Sequence, residues 1–181
     1  MNDNSSNLLA NPGFEKPDED GFAEWAAEMS AGVYCRRESD PPRDYAPYWP
    51  LDVHGGSDAI RIAGLTAGEA RFRQEIDVTA GRVYRASVWV KTYDSAGQGF
   101  GTQSGDISGI EIVFLDAAGA VVSQRTVTST TRATQRYIPL RGRIRAPKGA
   151  ARARFCLVAK IGCNHWHGCV RFDDALFKEE A

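Results

Sequence analysis

From residue 58 onward, apolar and polar positions alternate in short runs separated by glycine, proline, aspartate or serine, and no segment sustains a 3.6-residue apolar period between helix caps. Runs at 59–63, 70–78, 82–93, 110–115, 121–128, 135–145 and 152–159 therefore predict strands, and 33–37 and 169–177 add two more. That number at that spacing predicts an all-β chain folded as a two-sheet antiparallel β-sandwich. The stretch 22–29 has room for at most a short helix. Asp116-Ala-Ala-Gly119 supplies a turn with a glycine free to take positive φ, so the strands on either side should form a hairpin.

Alternation also assigns faces. In the run from Arg82, Tyr84, Ala86, Val88 and Val90 share one side and Arg85, Ser87, Trp89, Lys91 and Tyr93 the other, and the more apolar set should point into the core. Trp89 and Tyr93 then face outward. In 110–115, Glu111 lies opposite Ile110, Ile112 and Phe114. An outward Trp and Tyr beside Lys91, Arg85 and Glu111 would offer flat apolar rings to the C–H faces of a sugar and charged groups to its hydroxyls. The alternative is that Trp89 packs beneath a loop, and both readings stand at this point.

Two loops are longer than a sandwich needs. Residues 38–57 place Pro41, Pro42, Pro47 and Pro50 among Tyr45, Tyr48 and Trp49, and 94–109 are rich in glycine and serine around Phe100. Proline lowers the entropy lost when a loop is held in one shape, which suits Tyr48 and Trp49 to an aromatic wall beside a groove. The same rings could equally form the small core of a loop closing the sandwich end.

With 181 residues, 43% hydrophobic and 25% charged, the chain fits one globular domain, expected over 7–178, with residues 1–6 a disordered or added leader. No apolar run approaches the ~20 residues of a membrane-spanning helix, and the polar first residues carry no secretory signal. Net charge is −1 but uneven. Residues 1–59 hold 4 Lys/Arg against 12 Asp/Glu, and residues 60–160 hold 16 against 7. Arg141, Arg143 and Arg145, with Arg152 and Arg154, alternate with apolar or small residues and line solvent faces. Solvated strand surfaces explain them by default; a positive middle region also favours an anionic partner such as a uronic-acid or sulfated glycan, and nucleic acid is not the expected partner.

Four cysteines are too few for a disulfide framework. Cys35 and Cys156 read as buried thiols or a bridge between strands. Cys163 and Cys169 bracket Asn164-His-Trp-His-Gly168 and either close a small ring or stay free; a ring would present His165, Trp166 and His167 at a loop tip. Zinc is the less favoured use of this run, because its alternation matches no two-pair ligand spacing. No nucleophile elbow, phosphate-binding glycine loop or His-Glu-x-x-His pair is present, and no acid and base can be assigned to opposite sides of a cleft.

Five phrases lie in register over nearly the whole chain: Asn7-Leu-Leu-Ala-Asn-Pro-Gly-Phe-Glu15, Ile76-Asp-Val-Thr-Ala-Gly-Arg-Val-Tyr84, Ser87-Val-Trp-Val-Lys91, Ala146-Pro-Lys-Gly-Ala150 and Val170-Arg-Phe-Asp-Asp-Ala-Leu176. Together they resemble the jelly-roll, galactose-binding-domain-like carbohydrate-binding modules of families 4, 9 and 22. The resemblance implies a jelly roll, glycan binding without catalysis, and an extracellular setting as a monomeric module of a larger glycan-active enzyme. It also implies a structural calcium, held by Glu15 and Asp173 with a contribution near Gly56 to Asp58, and away from Trp89. On this reading the sugar-binding residues are Trp89, Tyr93, Trp49, Tyr48, Glu111, Arg85, Lys91 and Trp166, and the metal residues Glu15, Asp173 and Asp58. A cell-surface β-sandwich for protein contact is the alternative, and a jelly-roll polysaccharide lyase or hydrolase a more remote one.

Overall fold

The structure is a computed structural model, and it describes residues 6–18, 21–37, 53–92, 106–134, 136–162 and 165–180. These form twelve strands and no helix: β1 (Pro17–Asp18), β2 (Gly21–Phe22), β3 (Ala26–Met29), β4 (Val33–Arg37), β5 (Ile60–Gly64), β6 (Gly68–Asp77), β7 (Val83–Thr92), β8 (Ile107–Leu115), β9 (Val121–Thr130), β10 (Ile138–Arg145), β11 (Arg152–Ile161) and β12 (His165–Glu179). Two antiparallel five-stranded sheets, ordered β10-β7-β12-β5-β4 and β3-β6-β11-β8-β9, pack face to face, and β1 and β2 form a separate small ribbon.

The predicted sandwich is therefore present, and its core follows the predicted alternation. Along β7, residues from Val83 to Thr92 alternate between half-buried and buried without a break. Tyr84, Ala86, Val88 and Val90 join Phe172 and Phe177 of β12 on one side of the core, facing Phe72 of β6, Phe155 and Leu157 of β11, and Ile110, Ile112 and Phe114 of β8 on the other. Phe14, Phe22 and Trp25 extend this core, with the Phe14 and Trp25 rings 5.1 Å apart and Trp25 edge-on to Phe155 at 6.2 Å. The hairpin at Asp116 is also as expected: Gly119 has φ of 90°, and the Asp116 side chain accepts from the Ala120 amide at 2.8 Å.

The stretch 22–29, with room for at most a short helix, holds a strand instead: Ala26–Met29 pair antiparallel with Phe72 and its neighbours in β6. Phe22 and Trp25 are spaced like one helical turn, but both are core anchors, and the four strand residues after them are all exposed. An edge strand needs no apolar stripe, which is why its pattern resembled nothing periodic. Cys35 and Cys156 lie in different sheets as free thiols, so the strand-to-strand bridge does not form. Burial pushes each thiol up to about 11; for Cys156 the Glu111 carboxylate adds to it.

Candidate functional site

The site begins at an irregularity in β12. Its pairing with β7 shifts between Asp173, opposite Trp89, and Leu176, opposite Ser87, and Asp174 takes a left-handed φ of 47°. Such a bulge leaves backbone groups without ladder partners. The N-terminal segment supplies them: Ala175 donates to the Pro12 carbonyl at 2.9 Å, and the Asn7 amide donates to the Ala175 carbonyl at 2.9 Å. The bulge thus ties the first segment to the last strand and aims two adjacent carboxylates at residues 54–58.

Asp173 is fully buried. Its Oδ2 accepts from the backbone amides of His54 at 2.7 Å and Gly55 at 3.0 Å, and its Oδ1 from that of Asp174 at 2.7 Å. Burial, with the nearby Asp174 charge adding to it, raises the Asp173 carboxyl to about 6 against the pull of those three amides. Asp174 Oδ2 meets His54 Nδ1 at 2.6 Å. Glu15 reaches the same loop, accepting from Ser57 N at 3.0 Å, Asp58 N at 3.3 Å and Ser57 Oγ at 2.8 Å. Gly56, with φ of 64°, passes so close that a Cβ there would lie 1.9 Å from Glu15 Oε1. A side chain there would be conformationally strained and would push the Glu15 carboxylate from its place.

The residues expected for calcium thus meet around one loop. Their charge suits a hard cation: among the described residues no Lys or Arg pairs with Glu15, Asp173 or Asp174, and His54 alone faces Asp174. Asp58 differs, since its carboxylate is committed to Arg37 of β4. Among the described residues no three His, Cys, Asp or Glu side chains converge to hold a metal by themselves, so hydroxyl or backbone oxygens would have to complete a calcium shell. The expected separation from Trp89 does not hold. Asp173 is the cross-strand partner of Trp89, and His54, held by Asp173 and Asp174, stacks on the indole with ring centroids 3.8 Å apart and planes 17° apart. The structure therefore combines both sequence readings of Trp89: it faces outward from the sheet, and a loop ring covers it.

Around this pair the sheet face carries further rings and cations. Tyr137 meets His54 edge-on at 5.8 Å, and the Arg141 guanidinium carbon is 5.9 Å from the Trp89 ring centre. Lys91 and Arg85 share the Trp89 face. Lys91 also stands in register with Arg171 of β12, which in turn pairs with Arg61 of β5, placing three cations in one row across the sheet. Arg61 and Arg171 are both buried. Glu111 is not here: it lies on β8 in the opposite sheet and pairs with Arg71. Tyr48, Trp49 and Tyr93 lie outside the described residues, and so does the side chain of Trp166. Sequence reasoning missed His54 and Tyr137, because only the folded loop and the turn before β10 bring them to Trp89. For Asp174 a signal existed in the Asp-Asp dipeptide.

The arginines divide. Arg152 and Arg154 lie on β11, where both pair with Glu75 at 3.0 and 2.7 Å. Arg141, Arg143 and Arg145 lie on β10 at the edge of the other sheet and are exposed. The two groups form no single patch.

The fold has counterparts among solved structures. No protein-family model matches the chain, and no curated protein matches it in sequence. Solved structures do. The chain superposes over 97% of its length on all of a family 61 carbohydrate-binding module solved with β-1,4-galactotriose, at a TM-score of 0.59 and 20% identity. It also matches, over 92% of its length, 90% of the family 22 xylan-binding domain of Paenibacillus barcinonensis Xyn10C, at a TM-score of 0.59 and 13% identity. A third similar structure is the enzymatically active domain of the bacteriophage CBA120 tailspike protein 4, with a TM-score of 0.65 and 16% identity, of which the chain spans 21%. The chain has the jelly-roll fold of the carbohydrate-binding modules.

Proposed function

We propose that this chain is a non-catalytic carbohydrate-binding module that works outside the cell as a monomeric part of a larger glycan-active enzyme. It holds that enzyme near its polysaccharide and so raises local concentration without lowering a chemical barrier. The observation that carries this reading is the stacked His54–Trp89 pair on an outer sheet face, with Tyr137 at its edge and Arg141 and Lys91 beside it. Aromatic planes flanked by hydrogen-bonding cations suit a pyranose, whose C–H faces are apolar and whose rim is hydroxyl. The cations of this face favour an acidic polysaccharide. Glu15 and Asp173 are proposed to hold a structural calcium completed by oxygens of the 54–58 loop, which would neutralise the buried Asp173 carboxylate and the exposed Glu15 when bound.

The test is a titration against galactan, xylan and polygalacturonate, followed by assays for new reducing ends and unsaturated products. Saturable binding without products supports the proposal. Turnover would replace it with a lyase or hydrolase, and the absence of glycan binding would leave a β-sandwich for protein contact.

A further inference from the structure

Strands β9 and β10 are edge strands of different sheets, and the sandwich brings them side by side. Gly142 makes the approach possible: a Cβ there would lie 2.4 Å from Val127 Cγ1 and 3.1 Å from the Val127 carbonyl oxygen. Beside this contact a cleft of about 470 Å³ opens, within the size range of small-ligand sites. It is lined by the apolar Val127 and Ile144, the hydroxyl of Ser123, and Arg125, Arg143 and Arg145. Among the described residues no acidic side chain lines it.

The arginines retain capacity for a ligand. Arg145 spends one nitrogen on the Gly81 carbonyl at 2.6 Å, and Arg143 donates through Nε to Glu180 at 2.9 Å with its side chain 75% exposed. Arg125 is exposed and has no ion pair among the described residues. Guanidinium groups bind planar oxyanions through two parallel hydrogen bonds. Alternate residues of one strand are roughly 7 Å apart, so the Arg141, Arg143 and Arg145 side chains span about 13 Å of β10, more than one small anion occupies. A smaller hollow of about 190 Å³ shares Arg143 with the cleft, is lined also by Arg85, Arg141 and Glu180, and extends the row of arginines along β10. Scattered charge on an edge strand also deters edge-to-edge pairing. That role does not require a cleft lined by apolar side chains and arginines.

We propose that the cleft between β9 and β10 is a second binding site, which takes the carboxylate or sulfate groups of an acidic polysaccharide chain independently of the His54–Trp89 platform. The inference rests on the glycan-binding reading but places its own ligand elsewhere. The test titrates the whole chain with polygalacturonate, carrying only carboxylates, with dextran sulfate, carrying only sulfates, and with neutral xylan. Arg125→Gln combined with Arg145→Gln should weaken binding of the acidic chain at least tenfold and reduce its salt dependence. Arg152→Gln with Arg154→Gln removes the same charge from β11, outside the cleft, and should change it less than twofold. Circular dichroism and the melting temperature check each variant's fold. Binding of polygalacturonate alone identifies carboxylate recognition, and of dextran sulfate alone sulfate recognition; either supports the site. The proposal is overturned if neither acidic chain binds, if both variant pairs lose affinity equally, if Trp89→Ala abolishes acidic-chain binding, or if duplex DNA binds as tightly. Failure of the platform reading is seen separately, as xylan and galactan binding that survives Trp89→Ala.

Discussion

Replacing Trp89 with alanine tests the platform directly. It removes a stacked ring pair worth about 0.5–1.5 kcal/mol and a cation–π contact with Arg141 worth about 0.5–1 kcal/mol at a partly exposed position. Trp89 is half-buried, so the loss should fall below the ~3–5 kcal/mol of a fully buried aromatic truncation, on the order of 2 kcal/mol by denaturant unfolding. A double-mutant cycle with His54→Ala isolates the stack, and the two changes should couple by about 0.5–1.5 kcal/mol. Because His54 already lies on the indole, the sugar meets the pair rather than the bare tryptophan. Both single variants should then weaken the best glycan, Trp89→Ala by about 1–3 kcal/mol, roughly 5- to 150-fold. Calorimetric titration measures this, with circular dichroism as the folding control. Full affinity in Trp89→Ala would refute the platform, and a coupling energy near zero would refute the stack.

Chelator should lower the melting temperature, and Asp173→Ala should reproduce that loss; an unchanged melting curve together with no bound metal by elemental analysis would remove calcium. Gly56→Ala should destabilise the fold by about 1–3 kcal/mol, since it strains a left-handed backbone and displaces the Glu15 carboxylate, and Gly81→Ala, where nothing lies within 4 Å, provides a control that carries only the conformational strain. Cys156 should resist a disulfide reagent at pH 8 in the native protein and react on unfolding, because burial holds its thiol near 11. The same raised value means the folded state keeps the proton that the unfolded chain releases, so this contribution to stability is complete below about pH 8.5 and declines as pH rises toward 11, which thermal melts across that range would record.

The sandwich was legible because alternation is a local signal: one strand, β7, shows which side of every residue faces the core. Strand order is not local. β7 and β8 follow one another in the chain yet lie in different sheets, and so Glu111 faces away from Trp89 although both are outward on their own strands. For the same reason Arg143 and Arg154, similar in sequence setting, have different environments, one on an exposed edge strand beside Glu180 and the other within the opposite sheet beside Glu75. The carboxylate cluster was legible only as a resemblance. Its geometry depends on a bulge, and nothing in Phe172-Asp-Asp-Ala175 announces a register shift.

That bulge joins the two candidate sites. Asp173 holds the His54 backbone, Asp174 holds its imidazole, and the ring so placed covers Trp89. Any event that moves the carboxylates must move the platform, and linkage requires the reverse: a sugar resting on the pair favours the arrangement of carboxylates that goes with it. Asp174→Asn separates this coupling from folding. The bulge backbone, the Asp173 contacts and Glu15 remain, while the charged partner of the imidazole is lost. Its melting temperature should change little and its glycan affinity should fall several-fold. If calcium binds at Glu15 and Asp173, chelator should weaken the same glycan at temperatures where the protein stays folded, and glycan should in turn raise the apparent calcium affinity. Equal glycan affinity with and without chelator, in Asp174→Asn as in the parent, would mean that the cluster only closes the end of the sandwich and that the 3.8 Å stack is independent of it.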